Sequence, residues 1–161
     1  MHIVLIEPQI PPNTGNIARL CAVTGCELHL VEPLGFSTDD KHLKRAGLDY
    51  WHFLKIHFHK NFAEVLQEYP ENIYHYLSTK APNTYTDVSY GKNDMLVFGR
   101  EDAGIPETIL KGNLSSCVRI PMIDEARSLN LSNSVSIVVY EALRQQNFIG
   151  LKKTNDYLEK N

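Results

Sequence analysis

Three polar segments, each next to a run of apolar residues, contain the residue types that could do chemistry in this sequence. They are Pro11–Arg19, Leu96–Pro106 and Ile120–Val135. In open α/β sheets, ligands bind beyond the carboxyl ends of the strands, where such loops meet. Glycines in a loop let the backbone approach a ligand closely, and serine, asparagine and arginine side chains can bind it. The three segments are therefore the candidate ligand-binding loops.

The first segment, Pro11–Arg19, places small polar residues at the start of a predicted helix. The amide groups of a helix start are exposed donors and can bind an anion. Arg19 lies about one and a half turns inside this helix. Alternatively, Asn13 and Thr14 only cap the helix and Arg19 is a solvated surface charge. The segment alone leaves both interpretations open.

The second segment, Leu96–Pro106, leads from an apolar strand into a turn that contains Gly99, Gly104 and charged residues. The two glycines suit a ligand held close to the backbone. The segment matches neither the GxGxxG pattern nor a P-loop, because no Gly-Lys-Ser/Thr follows. An ordinary strand-to-helix loop is an equally good interpretation of these residues alone.

The third segment, Ile120–Val135, is a polar loop that leads into an amphipathic helix. Its hydrogen-bonding side chains include Ser128, Asn130, Ser132, Asn133 and Ser134. These groups are more numerous than the capping of one helix requires. We therefore expect some of them to have a functional role.

Two histidines and a basic cluster are weaker candidates. His57 and His59 share one face of a predicted strand, but they have no Cys, Asp or Glu at ligand spacing, and we interpret them as surface histidines. Lys41, Lys44 and Arg45 lie together on a short predicted helix. They either form a solvated face or contact phosphate groups. The hydrolase motifs GxSxG and HExxH do not occur in the sequence.

Strands and helices are predicted to alternate along the chain, which favours a single α/β domain over residues 1–161, with a mainly parallel sheet flanked by helices. The predicted strands are His2–Glu7, Glu27–Val31, Phe53–Phe58, Asn72–Leu77, Met95–Phe98 and Cys117–Ile120. The predicted helices are Asn13–Thr24, Asp39–Ala46, Asn61–Glu68, Pro106–Leu110 and an amphipathic one with an apolar stripe from Leu131 to Leu143. Pro11 and Pro12 are expected to prevent the first helix from starting before Asn13.

Composition limits the class of protein. The net charge of −3 and the pI near 6.1 argue against a general nucleic-acid binder, so any RNA partner must meet a local basic patch. The three cysteines are odd in number and lack CxxC spacing, which favours small core residues in a reducing compartment. No stretch approaches the roughly 18 apolar residues of a membrane span, and the chain starts with a strand-like run instead of a signal peptide. We therefore expect a cytoplasmic protein.

Taken together, the three segments resemble the motifs of the SPOUT class of RNA 2'-O-methyltransferases. The runs that carry this resemblance are Asn13–Arg19, Phe98–Pro106, Ile120–Met122 and Ser128–Asn133, and similarity extends from Ile3 to about Gln145. Two further runs, Glu32–Phe36 and Arg45–Tyr50, resemble the small enzymes that methylate the ribose of cytidine or uridine at the wobble position, 34, of tRNA. No added RNA-binding domain is visible, as in those enzymes.

The resemblance implies a C-terminal deep trefoil knot, against the rule that chains are unknotted. It implies a homodimer that binds the methyl donor S-adenosylmethionine in the knot and accepts tRNA across the subunit interface. No metal is expected. Two other functions stay open, namely methylation of ribosomal RNA, which related enzymes perform, and a non-catalytic RNA- or nucleotide-binding module, which is consistent with the acidic pI.

Site residues follow from the same resemblance. The cofactor-binding residues would be Leu77, Gly99, Ile120, Met122, Ser128 and Leu129. The catalytic residues would be Arg19, Glu101, Ser128 and Asn130. The residues expected to contact RNA are Asn13, Arg19, Lys41, Lys44 and Arg45. Arg100 and Asp102 depart from the pattern of the second motif, so no role is assigned to them.

Overall fold

A seven-stranded parallel sheet forms the centre of the structure, a computed structural model that describes residues 1–37 and 54–155. The strands are β1 (His2–Ile6), β2 (Glu27–Val31), β3 (Ile56–His59), β4 (Tyr74–Leu77), β5 (Asn83–Thr84), β6 (Met95–Phe98) and β7 (Cys117–Arg119). The helices are α1 (Pro11–Thr24), α2 (Phe62–Glu68), α3 (Glu107–Lys111) and α4 (Leu131–Gln145), with a 3-10 turn at Leu114–Ser116. The strand order is β3-β2-β1-β6-β4-β7-β5, and the described neighbours are parallel.

Both faces of the sheet are covered, which explains why its central strands are apolar at nearly every position. In β1, Ile3 and Leu5 point to one side, where they pack in a cluster with residues of α1 and α4. Val4 and Ile6 point to the other side, into a cluster that includes Val65 of α2. The chain therefore forms three layers, with the sheet between two layers of helices.

Helix α4 lies against α1 on one face of the sheet. Its apolar stripe is fully buried and consists of Val135, Val138, Val139 and Ala142, with Leu143 nearly so. At its carboxyl end, Gln145 accepts a hydrogen bond from the backbone of Tyr90 and donates one to the carbonyl of Val88. The packing of α4 on α1 brings the starts of the two helices together.

The predicted α/β fold with a mainly parallel sheet is confirmed. The six predicted strands are present with shifts of one to three residues at some ends. Strand β3 runs from Ile56 to His59, whereas its predicted start, Phe53, lies outside the described residues. The short strand β5 was not predicted, and the helix predicted at Asp39–Ala46 lies outside the described residues. The three cysteines are buried and free, as expected of small core residues.

The predicted start of the first helix is wrong, because α1 begins at Pro11 and not at Asn13. Proline suits the first helical position, where its missing N–H has no intrahelical acceptor and its fixed φ already fits the helix. Ile10, which precedes the two prolines, is extended (φ −110°, ψ 106°), as a residue before proline prefers.

The interpretation of His57 and His59 as surface histidines is also wrong for His59. Its side chain is only 1 % exposed and that of His57 33 %, because both point to the sheet face that α2 covers. An acidic neighbour is present as well: Oε2 of Glu27 lies 2.9 Å from Nε2 of His57. Glu27 is on the adjacent strand, so its proximity follows from strand pairing and not from spacing along the chain.

Within residues 1–37 and 54–155, no helix combines the length and the apolar character that a membrane crossing requires.

Candidate functional site

A cavity of about 550 Å³ opens where β4, β6 and β7 end. All six residues predicted to bind the cofactor line it, namely Leu77, Gly99, Ile120, Met122, Ser128 and Leu129. Asn13, Glu101 and Asn130 line it too. The cavity therefore joins residues of all three segments, which lie far apart along the chain, at the carboxyl edge of the sheet.

Gly99 permits the tight turn that forms one wall of this cavity. A Cβ atom at this position would overlap the carbonyl group of Gly104 and the backbone nitrogen of Ile105. The turn is closed by two backbone hydrogen bonds between Arg100 and Gly104, of 3.2 and 2.9 Å. Gly104 itself has a φ of +71°, a conformation that favours glycine. Both glycines of the second segment are therefore required by the backbone, before any ligand is considered.

The carboxylate of Glu101 binds the start of α1. It accepts hydrogen bonds from the backbone N–H groups of Gln9 (2.9 Å) and Ile10 (3.1 Å), and from Nδ2 of Asn13 (3.0 Å). The amides within Pro11–Arg19 were considered as a possible anion-binding site, with helix capping as the alternative. On the amides just before that segment, those of Gln9 and Ile10, the anion is a side chain of the protein itself.

Asn130 connects the third segment to this arrangement. Its Oδ1 accepts hydrogen bonds from the N–H groups of Ser132 (2.9 Å) and Asn133 (3.3 Å), which makes it the cap of α4. Its Nδ2 donates to Oδ1 of Asn13 at 3.0 Å. Asn13 is only 6 % exposed and uses both ends of its amide. Glu101, Asn13 and Asn130 thus form one chain of hydrogen bonds that ties the three segments together.

The serine hydroxyl groups of the third segment have two different roles. Oγ of Ser132 donates to Oδ1 of Asn130, and Oγ of Ser134 donates to the carbonyl of Asn130, so both reinforce the start of α4. Ser128 lies before the helix, is exposed and faces the cavity. Capping explains most of the polar groups that seemed in excess in the sequence, and it leaves Ser128 as the hydroxyl available to a ligand.

The arginines near the site lie in different environments. Arg19 is exposed on α1 and is not part of the lining of the cavity. Arg127, to which no role was assigned, does line it. Arg100 forms two hydrogen bonds with Asp102, of 3.0 and 2.9 Å, and lies 3.5 Å from Glu7, so these unassigned charges pair with each other. Lys41, Lys44 and Arg45 lie outside the described residues.

Fold and cavity together define a class. A parallel α/β sheet with a ligand-sized cavity beyond its strand ends, walled by glycine turns and a few converging polar groups, is typical of enzymes that bind a nucleotide-like ligand. Residues 1–140 match the model of the SpoU rRNA Methylase family. The chain belongs to this family, which confirms the resemblance drawn from the three segments.

Individual relatives are similar over nearly the whole chain. The tRNA (cytidine(34)-2'-O)-methyltransferase of Escherichia coli (strain K12) is 49 % identical over 152 residues, which are 93 % of this chain and 96 % of that protein. A structure solved for insights into the 2-OH methylation of C/U34 on tRNA has a TM-score of 0.87 and 38 % identity, and the match covers 91 % of this chain and 96 % of that one.

The fold is shared more widely. The SpoU methyltransferase AviRb from Streptomyces viridochromogenes, solved in complex with the cofactor AdoMet, has a TM-score of 0.81 at 21 % identity. The match covers 92 % of this chain and 61 % of that one, and it shows a common fold.

Proposed function

We propose that this chain transfers a methyl group from S-adenosylmethionine to the ribose 2'-hydroxyl of the wobble nucleotide, cytidine or uridine 34, of tRNA. The observation that carries the proposal is the convergence of the three segments on one cavity. The relative from Escherichia coli, which is 49 % identical over 152 residues, is named for the methylation of cytidine 34. The match covers 96 % of that relative, so the relative has little further sequence that could form a separate substrate-selecting domain.

The cavity suits S-adenosylmethionine in size and composition. Its volume of about 550 Å³ is within the usual range of small-molecule sites. Leu77, Ile120 and Met122 provide apolar surface for an adenine ring, and the turn from Gly99 to Ile105 lines the cavity, where its backbone groups could bind polar atoms. S-adenosylmethionine, when bound, supplies an activated methyl group, so the proposed transfer requires no metal ion.

The polar residues of the site have distinct proposed roles. Glu101 and Asn130 are engaged with the backbone and with Asn13, so we assign them the positioning of the three segments. Ser128 is exposed at the cavity and is the candidate to contact the ligand or the ribose. A reaction between two bound molecules depends strongly on holding them in the right geometry, which gives such positioning residues a direct influence on rate.

We propose that, in a homodimer, Arg19 of one chain binds the nucleotide that reacts at the cavity of the other chain. It is exposed on α1 and does not line the cavity of its own chain, so a homodimer is the arrangement that could supply it. A guanidinium group has a pKa above about 12 and is a poor proton acceptor. We therefore assign Arg19 the binding of phosphate and the stabilisation of charge, with tRNA lying across the subunit interface.

We further propose that the C-terminal part of the chain passes through a loop and forms a trefoil knot. The support is that β7 lies beyond β4 in the sheet, whereas α4, which follows it, packs back on α1. Loop residues Val88 and Tyr90 hold α4 through Gln145. A crystal structure that traces the chain through residues 78–91 and 120–131 would decide whether the trefoil knot is present.

The function is tested with purified protein, labelled S-adenosylmethionine and total RNA from a strain of the same organism that lacks this gene, followed by mapping of the labelled nucleotide. We expect label on the ribose of nucleotide 34 in tRNA, which is a cytoplasmic substrate. Label only in ribosomal RNA would establish the alternative that the family description favours. Binding of RNA without transfer would contradict an enzymatic role and would leave the RNA-binding module.

A further inference from the structure

Five polar side chains gather on one face of the sheet, away from the cavity. They are His2 of β1, Glu27 and His29 of β2, and His57 and His59 of β3. Strand pairing places His2 beside Glu27, and His29 beside His57. Because side chains alternate between the two faces along each strand, these five all point to the same face, the one that α2 covers. The lining of the cavity, as far as the structure describes it, includes none of the five.

Three of these side chains present ligand atoms to one point. Nδ1 of His2 lies 3.0 Å from Nε2 of His29 and 4.0 Å from Oε2 of Glu27, and the three ligand atoms all lie within 4.8 Å of one another. Ligand atoms around a tetrahedral Zn²⁺ ion are about 3.3 Å apart, given bond lengths of about 2.0–2.1 Å. Small side-chain rotations would therefore suffice to coordinate an ion.

A fourth donor, His57, lies beside Glu27. Nε2 of His57 is 2.9 Å from Oε2 of Glu27, and the His57 ring stacks on that of His29 with 4.4 Å between the centroids. Glu27 and His57 are partly exposed, with side-chain exposures of 25 % and 33 %. An ion could therefore enter from solvent, although His29 is fully buried.

The remaining groups hold His29 in the orientation that coordination requires. Its other ring nitrogen, Nδ1, is 3.0 Å from Nε2 of His59, and Nδ1 of His59 is 3.7 Å from a carboxylate oxygen of Glu68. When Nδ1 of His29 donates to Nε2 of His59, Nε2 of His29 keeps its lone pair for the cluster. Histidine ligands of metals are commonly held by a hydrogen bond from the second nitrogen in this way.

The two carboxylate oxygens of Glu27 have different neighbours. Lys55 donates a hydrogen bond to Oε1 at 2.9 Å, whereas Oε2 is the oxygen that lies beside His57 and His2. A carboxylate and neutral imidazoles are the side-chain forms that bind metal ions.

We propose that His2, Glu27 and His29, with His57 as the fourth donor, form a binding site for a divalent transition-metal ion, with Zn²⁺ as the expected occupant. Imidazole nitrogens combined with one carboxylate suit Zn²⁺, whereas Mg²⁺ and Ca²⁺ prefer sets of oxygen ligands. The ion would join β1, β2 and β3 at one end of the sheet. No metal ion was expected from the sequence, so this site differs from that expectation. It does not depend on the proposed methylation.

The test is calorimetric titration of the full chain with Zn²⁺ after removal of metal by a chelator, with Co²⁺ absorption as a second readout. We expect one Zn²⁺ per chain and a raised Tm in its presence. Glu27→Gln and His29→Gln should each weaken Zn²⁺ affinity by more than about 100-fold, and His59→Gln, beyond the ligands, by about 10- to 100-fold.

Two controls separate this site from other histidines. The double variant His42→Gln/His52→Gln removes the two histidines within residues 38–53. His75→Gln removes a buried histidine that is paired with Asp94 elsewhere on the sheet. Both controls should keep the affinity for Zn²⁺. Absence of saturable Zn²⁺ binding, or binding lost in the double variant and kept in Glu27→Gln, would overturn the proposal. Glu27 is partly exposed, so that variant stays decisive if His29→Gln does not fold.

Discussion

The starts of α1 and α4 lie side by side at the cavity, yet they are stabilised in opposite ways. Helix α4 is capped by its own Asn130, within three residues of the amides that it binds. Helix α1 has no side-chain cap of its own, and the amide of its N-cap residue Ile10 donates to Glu101, 91 residues further along the chain. The start of α4 is stabilised by a residue next to it in sequence, whereas the start of α1 is stabilised in part by a residue of the second segment. Damage to the second segment should therefore spread to α1. Damage to the cap of α4, which is joined to α1 by the hydrogen bond from Asn130 to Asn13, should remain mainly at α4.

The largest effect is expected for Gly99→Ala, which attacks the turn that carries Glu101. The added Cβ overlaps the backbone of Gly104 and Ile105, so the turn must move and Glu101 with it. We expect a loss of about 3 kcal/mol in the free energy of unfolding and a large loss of S-adenosylmethionine affinity, measured by urea unfolding and calorimetry.

Gly112→Ala is the matched control for Gly99→Ala. Gly112 has a φ of −76°, and the nearest atoms to an added Cβ are 3.8 Å away. Its unfolding free energy should change by less than about 1 kcal/mol. Equal effects of the two substitutions would show that the turn at Gly99 does not depend on the absence of a side chain.

Arg19→Lys tests whether the placement of α1 serves the reaction as well as the fold. Lysine keeps the charge but loses the planar set of donors that can bind phosphate in two places. We expect methylation to fall by at least about 100-fold, equivalent to about 2.7 kcal/mol in the barrier, with S-adenosylmethionine affinity unchanged. The readouts are kcat with tRNA and the calorimetric Kd. Substantial retained activity would refute the assignment of Arg19.

Glu101→Gln should weaken the start of α1 by a smaller amount. The carboxylate serves three N–H donors, whereas an amide offers one acceptor oxygen and turns a donor toward them. We expect a loss of about 2 kcal/mol in the free energy of unfolding and faster hydrogen exchange at the first turn of α1.

Asp102→Asn, next to Glu101, is the control for that change. Asp102 is exposed and pairs with Arg100 on the same turn, so its replacement should have little effect on unfolding. If Glu101→Gln proved as mild as Asp102→Asn, the start of α1 would not depend on Glu101.

Asn130→Ala should have the smallest effect. It removes the cap of α4 and the link to Asn13, and we expect a loss of about 1 kcal/mol, with faster hydrogen exchange confined to the first turn of α4. Asn133→Ala, at an exposed position in the same turn, should be nearly neutral. Faster exchange at α1 in Asn130→Ala would show that the two helix starts are coupled and that the contrast between them is weaker than we infer.

Short-range patterns in the sequence predicted many of the strands and helices of this protein. Runs of four to six mainly apolar residues predicted β1, β2, β6 and β7, and the periodic stripe of α4 predicted the longest of the described helices. The three motifs, by their resemblance to a known family, predicted residues that line one cavity. These features were accessible because periodicity and motif spacing are properties of neighbouring residues along the chain.

Other features were decided by tertiary structure alone. The start of α1 depends on Glu101, and the histidine face depends on the register of β1, β2 and β3, which places His29 beside His57 and His2 beside Glu27. Neither partnership has a signature in the local sequence, because each joins residues that come together only when distant strands pair. The sequence by itself determined which elements form and which loops carry the chemistry. Only the packed sheet decided which polar side chains meet, because most buried polar groups are stable only with a hydrogen-bond partner, and the fold determines which partners are near.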